Sequence, residues 1–231
     1  MRKVFIIYGP PGAGKGTQAN LLAARFGLYH FDTGKYIERV VHDPANRTDA
    51  VIRREMKNFD SGILCTPNWV LETIKKKSGQ LASAGFGLAF SGSPRTMFEA
   101  FGDKKNSGLI ETLEKKYGRK NLVFLYLKIR PEASIKRNAK RRVCSVCGTG
   151  LLYLDSNHRH KLCPLCGGKL IQRTLDNPKV FHTRITEYNN RTKPIIAALK
   201  NKKYRIAEIN GRPMPHQVFD EIIRKLKLQN L

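Results

Sequence analysis

Short apolar runs alternate along the chain with longer stretches in which apolar residues recur at helical spacing. Such alternation is typical of a parallel sheet that is covered by helices. The strand-like runs are residues 4–8, 88–90, 122–127 and 205–209. The helical stretches, several of which open with Pro in the first turn, are residues 16–26, 35–41, 67–78, 131–142, 178–199 and 215–228.

The pattern changes between residues 143 and 170, where Cys, Gly and His are interspersed with short apolar pieces. We therefore expect a small inserted subdomain with a stabilising device of its own. Two Cys-x-x-Cys-Gly units lie within it, and their cysteines are Cys144, Cys147, Cys163 and Cys166.

Four cysteines at this spacing predict a zinc site. Four thiolates complete the tetrahedral coordination of Zn²⁺ and leave no open position for a substrate, so the predicted site is structural. Two disulfides are one alternative, although reducing conditions disfavour them. A zinc ribbon that binds nucleic acid is another alternative that the sequence leaves open.

Length and composition fit one globular unit. The chain has 231 residues, of which 41% are hydrophobic, and this is enough for one α/β domain with an insertion. No run of about 18 apolar residues occurs, so no membrane span is expected. The first apolar run is too short for the core of a signal peptide. We expect a cytoplasmic protein without a membrane partner.

The net charge of +25 arises from 43 Lys and Arg residues against 18 Asp and Glu residues. A field of this sign attracts polyanions. The basic residues are spread in short groups along the chain, which favours a generally basic, solvated surface over a shaped nucleic-acid groove. A nucleic-acid partner is therefore compatible with the charge but not required by it.

A glycine-rich loop follows the first strand-like run and precedes a helical stretch. This order aims backbone N–H groups and the positive end of a helix dipole at one point, which suits the phosphates of a nucleotide. Lys15 is expected to reach the outer phosphates, and the Thr17 hydroxyl to ligate Mg²⁺. The candidate ATP-binding residues of the loop are Gly12, Ala13, Gly14, Lys15, Gly16 and Thr17.

The loop has the form Gly-x-Pro-Gly-x-Gly-Lys-Gly-Thr-Gln, which resembles that of the adenylate kinases. The likeness extends over nearly the whole chain. It includes His30-Phe31-Asp32-Thr33-Gly34, similar to the family's Ser-Thr-Gly, and the segment Ser91-Gly92-Ser93-Pro94-Arg95-Thr96, similar to the family's Asp-Gly-Phe-Pro-Arg-Thr. It also includes Arg137 and Arg141 before the insertion, and Arg173 and Arg184 after it.

The resemblance implies the P-loop nucleoside monophosphate kinase fold, with a five-stranded parallel sheet flanked by helices. The core would comprise residues 1–32, 68–142 and 173–231, the monophosphate-binding region residues 33–67, and a zinc-binding lid residues 143–172. The implied reaction is the reversible interconversion of ATP and AMP with two ADP by a monomer, with Mg²⁺ accompanying ATP. Transfer would be direct and in line, without a covalent intermediate.

The resemblance also implies roles for arginines, whose planar and permanent charge suits phosphate. Arg95 would hold the acceptor phosphate, and Arg137 would pack on the adenine of ATP. Arg141, Arg173 and Arg184 would act with Lys15 and Arg95 as the catalytic set. In the predicted helix 131–142, Arg137 and Arg141 would share a face. The remaining candidates are Arg212 for ATP and Thr33, Glu38, Arg39 and Glu99 for the monophosphate.

Two departures from the family concern the metal and the acceptor phosphate. The carboxylate that family members carry before Gly-x-Pro-Arg-Thr is Ser91 here, and a second carboxylate is Lys35. We expect Mg²⁺ to be held more weakly, mainly by ATP phosphates, Thr17 and water. A family arginine aligns with Glu38, and Arg39 is its neighbour.

A third departure concerns the acceptor base. The family's glutamine that reads adenine aligns with Glu99. An ionised carboxylate only accepts hydrogen bonds, which suits the two donors on the edge of guanine better. We expect AMP as the main acceptor with some use of GMP. The alternatives are a kinase directed to GMP, and a regulatory or nucleic-acid-associated protein of the same fold with weak catalysis.

Overall fold

The computed structural model describes residues 2–151, 161–172 and 176–228. Within them a five-stranded sheet has the order β2-β3-β1-β4-β8, and each recorded pairing of neighbours is parallel. Its strands are β1 (Val4–Tyr8), β2 (Tyr29–Phe31), β3 (Leu88–Phe90), β4 (Leu122–Lys128) and β8 (Ile206–Asn210). The predicted five-stranded parallel sheet is confirmed.

Helices cover both faces of this sheet. Side chains of β1 alternate between two apolar clusters, with Val4 and Ile6 on one face and Phe5 and Ile7 on the other. The helices are α1 (Lys15–Phe26), α2 (Thr33–Val41), α3 (Ala50–Ser61), α4 (Pro67–Ser83), α5 (Met97–Phe101), α6 (Leu109–Tyr117), α7 (Pro131–Lys140), α8 (Pro178–Glu187), α9 (Lys193–Asn201) and α10 (Pro215–Leu226). Burial on both faces explains why the first strand is a continuous apolar run.

The cysteine-rich insertion forms a separate small sheet. Three short antiparallel strands lie in the order β6-β5-β7. They are β5 (Arg142–Cys144), β6 (Gly150–Leu151) and β7 (Leu170–Ile171). Strands of two or three residues bury little apolar surface, so this unit needs a crosslink for stability.

Several elements differ from the sequence-based expectation. The four predicted strands are present, but β2 was missed because only Phe31 of its three residues is fully buried. The helix predicted over 178–199 is interrupted by a π-turn at Tyr188–Thr192 before α9 begins. The helix predicted over 131–142 ends at Lys140. Within the described residues, no helix is both long and apolar enough to cross a membrane.

Candidate active site

The loop between β1 and α1 is held in an open curve by glycines with positive φ. Gly12 has a φ of 81°, and a Cβ at this position would collide with Asn138 Nδ2. Gly9 also packs closely against β4, since a Cβ at this position would lie 2.8 Å from the carbonyl oxygen of Leu127. Only glycine satisfies both the backbone angle and the close approach.

Helix α7 supports the loop from outside. Ser134 Oγ donates a hydrogen bond to the carbonyl oxygen of Pro11 at 2.5 Å. Asn138 Nδ2 donates to the carbonyl oxygen of Ser134 at 2.8 Å, and both side chains are buried. The spacing of four residues places Ser134 and Asn138 on one helix face, but no motif in the sequence indicates that this face contacts the glycine loop.

Lys15 begins α1 and lies in an excess of positive charge. Its Nζ donates to the carbonyl oxygens of Gly9 and Pro10 at 2.7 and 3.0 Å. Burial is the main cause that lowers the pKa of Lys15 well below its usual range. Three arginines lower it further, namely Arg95, Arg184 and Arg141. The structure therefore brings these four predicted catalytic residues together around the loop.

A buried carboxylate joins two of these arginines. Asp176 accepts a hydrogen bond from Arg141 Nε at 2.8 Å, and its Oδ1 lies 3.5 Å from Arg184 Nη1. Arg141 follows the last residue of α7 and has an extended backbone with a ψ of 135°. The expectation that Arg141 shares a helix face with Arg137 is therefore wrong, and Asp176 orients Arg141 instead. Arg173 lies outside the described residues.

Arg95 is anchored through its backbone and its guanidinium. Its Nε donates to the carbonyl oxygen of Gly92 at 2.6 Å, while Thr192 Oγ1 donates to the carbonyl oxygen of Arg95 at 2.8 Å. Thr33 and Gly34 pack beside it, since a Cβ at Gly34 would lie 3.6 Å from Arg95 Nη2. The Thr33 hydroxyl is fully buried and has no hydrogen-bond partner among the described residues.

Glu99 is nearly fully buried beside Arg95. Its Oε2 accepts from the Arg95 backbone N–H at 2.8 Å, and its Oε1 accepts from Thr96 Oγ1 at 3.1 Å. Burial raises the pKa of Glu99, while the hydrogen bond from Arg95 and its positive charge oppose the rise. The carboxyl group thus holds a proton more readily than an exposed glutamate does.

A polar chain of three side chains lies at the ends of β2 and β3. His30 Nδ1 lies 2.5 Å from Asn20 Oδ1, and His30 Nε2 lies 2.7 Å from Ser91 Oγ. Burial lowers the pKa of His30, with opposing effects of Asp32 and Lys35. Ser91 stands out in the sequence as a departure from the family, but no motif joins it to His30 and Asn20, so this contact was not predicted.

Arg137 and Arg212 meet at the other end of the loop. Arg137 Nη1 donates to the carbonyl oxygen of Gly211, and its Nη2 donates to the carbonyl oxygen of Arg212, both at 2.8 Å. The predicted pair of ATP-binding arginines is therefore contiguous. Thr17 is exposed in the first turn of α1.

Glu38 and Arg39 lie apart from the loop, on α2. They line an open groove of about 600 Å³ between α2 and α3, together with Lys35 and Asp60 among others. Arg39 is exposed and Glu38 half-buried. Of the predicted monophosphate-binding residues, Thr33 and Glu99 therefore lie closest to Arg95, and Glu38 and Arg39 face this groove.

The four cysteines of the insertion form one cluster. Their sulfur atoms all lie within 4.8 Å of one another, with Cys144 and Cys166 at 3.4 Å and Cys147 and Cys163 at 3.8 Å. A tetrahedral zinc ion with Zn–S bonds of about 2.3 Å separates its sulfurs by roughly 3.8 Å. The backbone N–H groups of Val146 and Cys147 both donate to Cys144 Sγ at 3.4 Å. The cluster fits a metal ion with four thiolate ligands.

Comparison with known proteins gives one consistent family. The family model described as adenylate kinase matches residues 7–204. The adenylate kinase of Caldicellulosiruptor saccharolyticus is 32% identical over 229 residues, which cover 97% of this chain and 99% of that protein. The adenylate kinase of Clostridium tetani is 31% identical over 220 residues, 94% of this chain and 95% of that protein. That of Chlamydia pneumoniae is 30% identical, with 96% of each covered.

Proposed function

The chain belongs to the adenylate kinase family and is a nucleoside monophosphate kinase that passes a phosphoryl group between ATP and AMP; we propose here how its residues perform this reaction. The observation that carries the proposal is the convergence of Lys15 with Arg95, Arg141 and Arg184 around one glycine loop. Four basic side chains near one loop favour the binding of anions, and two nucleotides supply several phosphates. Such a set of positive charges stabilises charge that is spread over a transferring phosphoryl group.

ATP binds with its phosphates on the loop formed by residues 12–17. The backbone N–H groups at the start of α1 and the Lys15 ammonium bind the outer phosphates. Lys15 exchanges its present bonds to the carbonyl oxygens of Gly9 and Pro10 for bonds to phosphate. Arg137 and Arg212 lie at the base side of ATP, where the Arg137 guanidinium packs on adenine.

AMP binds on the other side of the transferred group. Arg95 binds its phosphate, because the bond from Arg95 Nε to the carbonyl oxygen of Gly92 fixes the guanidinium, whose planar fork of N–H groups suits a bidentate contact with phosphate. Thr33 and Glu99 contact the base. Arg173 completes this set, and Glu38 and Arg39 border the open groove beside α2.

Arg141 and Arg184 clamp the phosphates from the side of the insertion. Their shared contact with Asp176 holds both guanidinium groups in place before substrate arrives. Preorganised charge of this kind lowers the barrier without reorganisation during the reaction. Transfer is direct and in line between the two nucleotides, and no side-chain nucleophile takes part.

Two segments close over the substrates in this proposal. Residues 33–67 close over the monophosphate and residues 143–172 over ATP, around the remaining core. Closure excludes water, which would otherwise hydrolyse ATP. The two segments lie close to each other, which supports closure. Gly148 belongs to the insertion and Lys35 to the monophosphate-binding region, and a Cβ at Gly148 would lie 3.4 Å from Lys35 Nζ.

Two metals complete the protein. Mg²⁺ bound with ATP would neutralise charge on the phosphates, and the Thr17 hydroxyl would be one of its ligands. Cys144, Cys147, Cys163 and Cys166 would hold a Zn²⁺ ion that stabilises the insertion. The zinc site is closed and takes no part in the chemistry.

A coupled assay of ADP formation from ATP and AMP tests this function. Lys15→Ala and Arg95→Ala are expected to lower kcat/KM by at least about a thousandfold, because each removes a charge that contacts the transferring phosphates. Lys115→Ala is the matched control, since Lys115 is exposed and pairs with Glu111 on the surface of α6. Equal rates for Lys15→Ala, Lys115→Ala and the unaltered chain would contradict the proposal.

A further inference from the structure

Asp32 and Ser91 occupy equivalent positions on neighbouring strands. Phe31 is the register partner of Phe90 in the parallel pair β2 and β3, so the next residues, Asp32 and Ser91, leave the same edge of the sheet at one level. The Ser91 N–H donates to the carbonyl oxygen of Phe31 at 3.4 Å, which links the two strand ends. The edge is the one from which the glycine loop departs after β1.

The two side chains that form a hydrogen-bonded chain with Ser91, those of His30 and Asn20, carry no negative charge. The Asn20 carbonyl oxygen can only accept, so His30 Nδ1 donates to it and His30 Nε2 accepts from the Ser91 hydroxyl. Burial lowers the pKa of His30, which disfavours the protonated ring. The end of β3, where related kinases carry a carboxylate, is thus a neutral hydrogen-bonded chain.

Asp32 supplies a carboxylate one strand away. It is half-buried, and its Oδ1 caps α2 by accepting from the Lys35 backbone N–H at 3.1 Å. Its charge acts on Lys15, because Asp32 raises the pKa of Lys15 against the lowering effects of burial and three arginines. Asp32 is thus a negative charge that acts on Lys15 among several positive ones.

We propose that Asp32 is the carboxylate that positions the magnesium ion of Mg-ATP, in place of the carboxylate that related kinases carry at the position of Ser91. The proposal rests on the proposed function, because it places Mg-ATP on the glycine loop. Within the described residues, the Asp32 side chain accepts one hydrogen bond, from the Lys35 N–H, which uses one of its four or so acceptor positions; the others would hold water molecules of the ion. Compared with those kinases, the carboxylate would follow β2 instead of β3, at the same level of the sheet edge.

A carboxylate at this point has a clear physical task. Mg²⁺ keeps several of its water molecules when it binds with nucleotide phosphates, and those waters need acceptors of fixed position. Partners outside the coordination sphere fix the orientation of the ion, and their loss typically weakens metal affinity by about 10- to 100-fold. Ser91 and neutral His30 offer weaker acceptors than an ionised carboxylate.

Binding of Mn²⁺ to the chain saturated with β,γ-imido-ATP tests the proposal, with free Mn²⁺ measured by electron paramagnetic resonance. Asp32→Asn is expected to weaken Mn²⁺ binding at least about tenfold. Asparagine also accepts from a backbone N–H at a helix start, so this change removes the charge and keeps the cap. The double change Asp32→Asn with Ser91→Asp is expected to restore most of the affinity, because it returns a carboxylate to the same edge.

The matched control is Asp49→Asn. Asp49 caps α3 in the same way, accepting from the N–H groups of Val51 and Ile52 at 2.7 and 3.2 Å, so the change has the same chemistry at another helix start. Its Mn²⁺ affinity is expected to equal that of the unaltered chain. Unchanged affinity in Asp32→Asn, an equal loss in Asp49→Asn, or a double variant no tighter than Asp32→Asn would overturn the proposal.

Two further measurements separate this proposal from the proposed function. Binding of β,γ-imido-ATP in EDTA reports on the glycine loop without metal, and is expected to be equal in Asp32→Asn and the unaltered chain. ADP formation by the unaltered chain reports on the reaction itself. If the unaltered chain forms no ADP but still binds Mn²⁺ at least about tenfold more tightly than Asp32→Asn, the reaction is rejected and the role of Asp32 is kept.

Discussion

The carboxylate of Asp176 accepts a hydrogen bond from Arg141 Nε at 2.8 Å across a separation of 35 residues. The Asp176 side chain is fully buried, and that of Arg141 is 26% exposed. Arg141 precedes the cysteine insertion and Asp176 follows it, so the pair closes the base of the insertion. Arg184 Nη1 lies 3.5 Å from the same carboxylate.

Asp176→Asn is expected to lower the free energy of unfolding by roughly 3 kcal/mol. The change leaves Arg141 and Arg184 near each other without the buried negative charge between them, and removal of one partner from a buried pair costs about 3–5 kcal/mol. Partial exposure of Arg141 favours the lower end of this range. Urea denaturation measures the change. Glu111→Gln, which breaks an exposed pair with Lys115, serves as control and should cost under about 1 kcal/mol; equal losses would contradict the expectation.

The sequence alone predicted features that are local in the chain. The glycine loop lies within ten consecutive residues between a buried strand and a helix, so its phosphate-binding shape follows from adjacent positions. The cysteine pairs are similarly local, and their sulfurs do lie within 4.8 Å of one another. The buried strands were also predictable, because their apolar runs follow from burial on both sheet faces.

Features that depend on contacts between distant segments could not be predicted. The register of Phe31 with Phe90 brings Asp32 level with Ser91, and no pattern within either strand encodes that pairing. The helix containing Arg137 has no sequence signal that ends it at Lys140; Arg141 follows with an extended backbone, and its side chain contacts Asp176, 35 residues away. The third helix was missed because polar residues occupy most of its length.

Gly12→Ala is expected to weaken ATP binding by at least about tenfold. A Cβ at this position would collide with Asn138 Nδ2, and the φ of 81° disfavours any side chain. The loop must therefore shift away from α7, which displaces the N–H groups that contact phosphate. Isothermal titration calorimetry with ATP measures the loss.

Gly85→Ala is the matched control for this change. Gly85 has a similar φ of 85°, but a Cβ there has no atom within 4 Å. It is expected to cost about 1 kcal/mol of stability and to leave ATP affinity unchanged. Normal ATP affinity in Gly12→Ala would show that the contact with Asn138 does not shape the loop.

Removal of zinc is expected to unfold the insertion without unfolding the core. The small sheet has strands of two or three residues, while the core clusters lie around the large sheet. We expect one zinc ion per purified chain, and none in Cys163→Ala, by metal analysis. Limited proteolysis of that variant should cut first within residues 143–172.

Cys65→Ala provides the matched control for zinc. Cys65 is a buried thiol whose Sγ lies 3.5 Å from the carbonyl oxygen of Glu55, outside the cysteine cluster. The variant is expected to retain a full zinc content and an uncut insertion. A chain with full zinc content in Cys163→Ala would contradict the assignment of the four-cysteine site.

Acceptor choice is expected to depend on pH through Glu99. Burial raises the pKa of Glu99 above that of an exposed glutamate. Below this raised pKa the protonated carboxyl both donates and accepts, as an amide does, and suits AMP. Above it the ionised carboxylate only accepts and suits the two donors of guanine. The ratio of GMP to AMP turnover should therefore rise as the pH increases through the raised pKa.

Glu99→Gln tests this dependence, because an amide has fixed donor and acceptor groups at every pH. Its side chain can accept from the Arg95 N–H and donate to Thr96 Oγ1, so the local contacts survive. We expect AMP preference over GMP to increase roughly tenfold at high pH, the equivalent of one mismatched hydrogen bond. A carboxyl whose pKa is raised in the folded chain stabilises that chain most when it is protonated, so its contribution to the free energy of unfolding decreases as the pH rises. Glu99→Gln should remove this pH dependence. Initial rates with AMP and GMP from pH 5 to 9 measure the ratio, and an unaltered chain with a flat ratio and strict AMP use would show that Glu99 does not read the base.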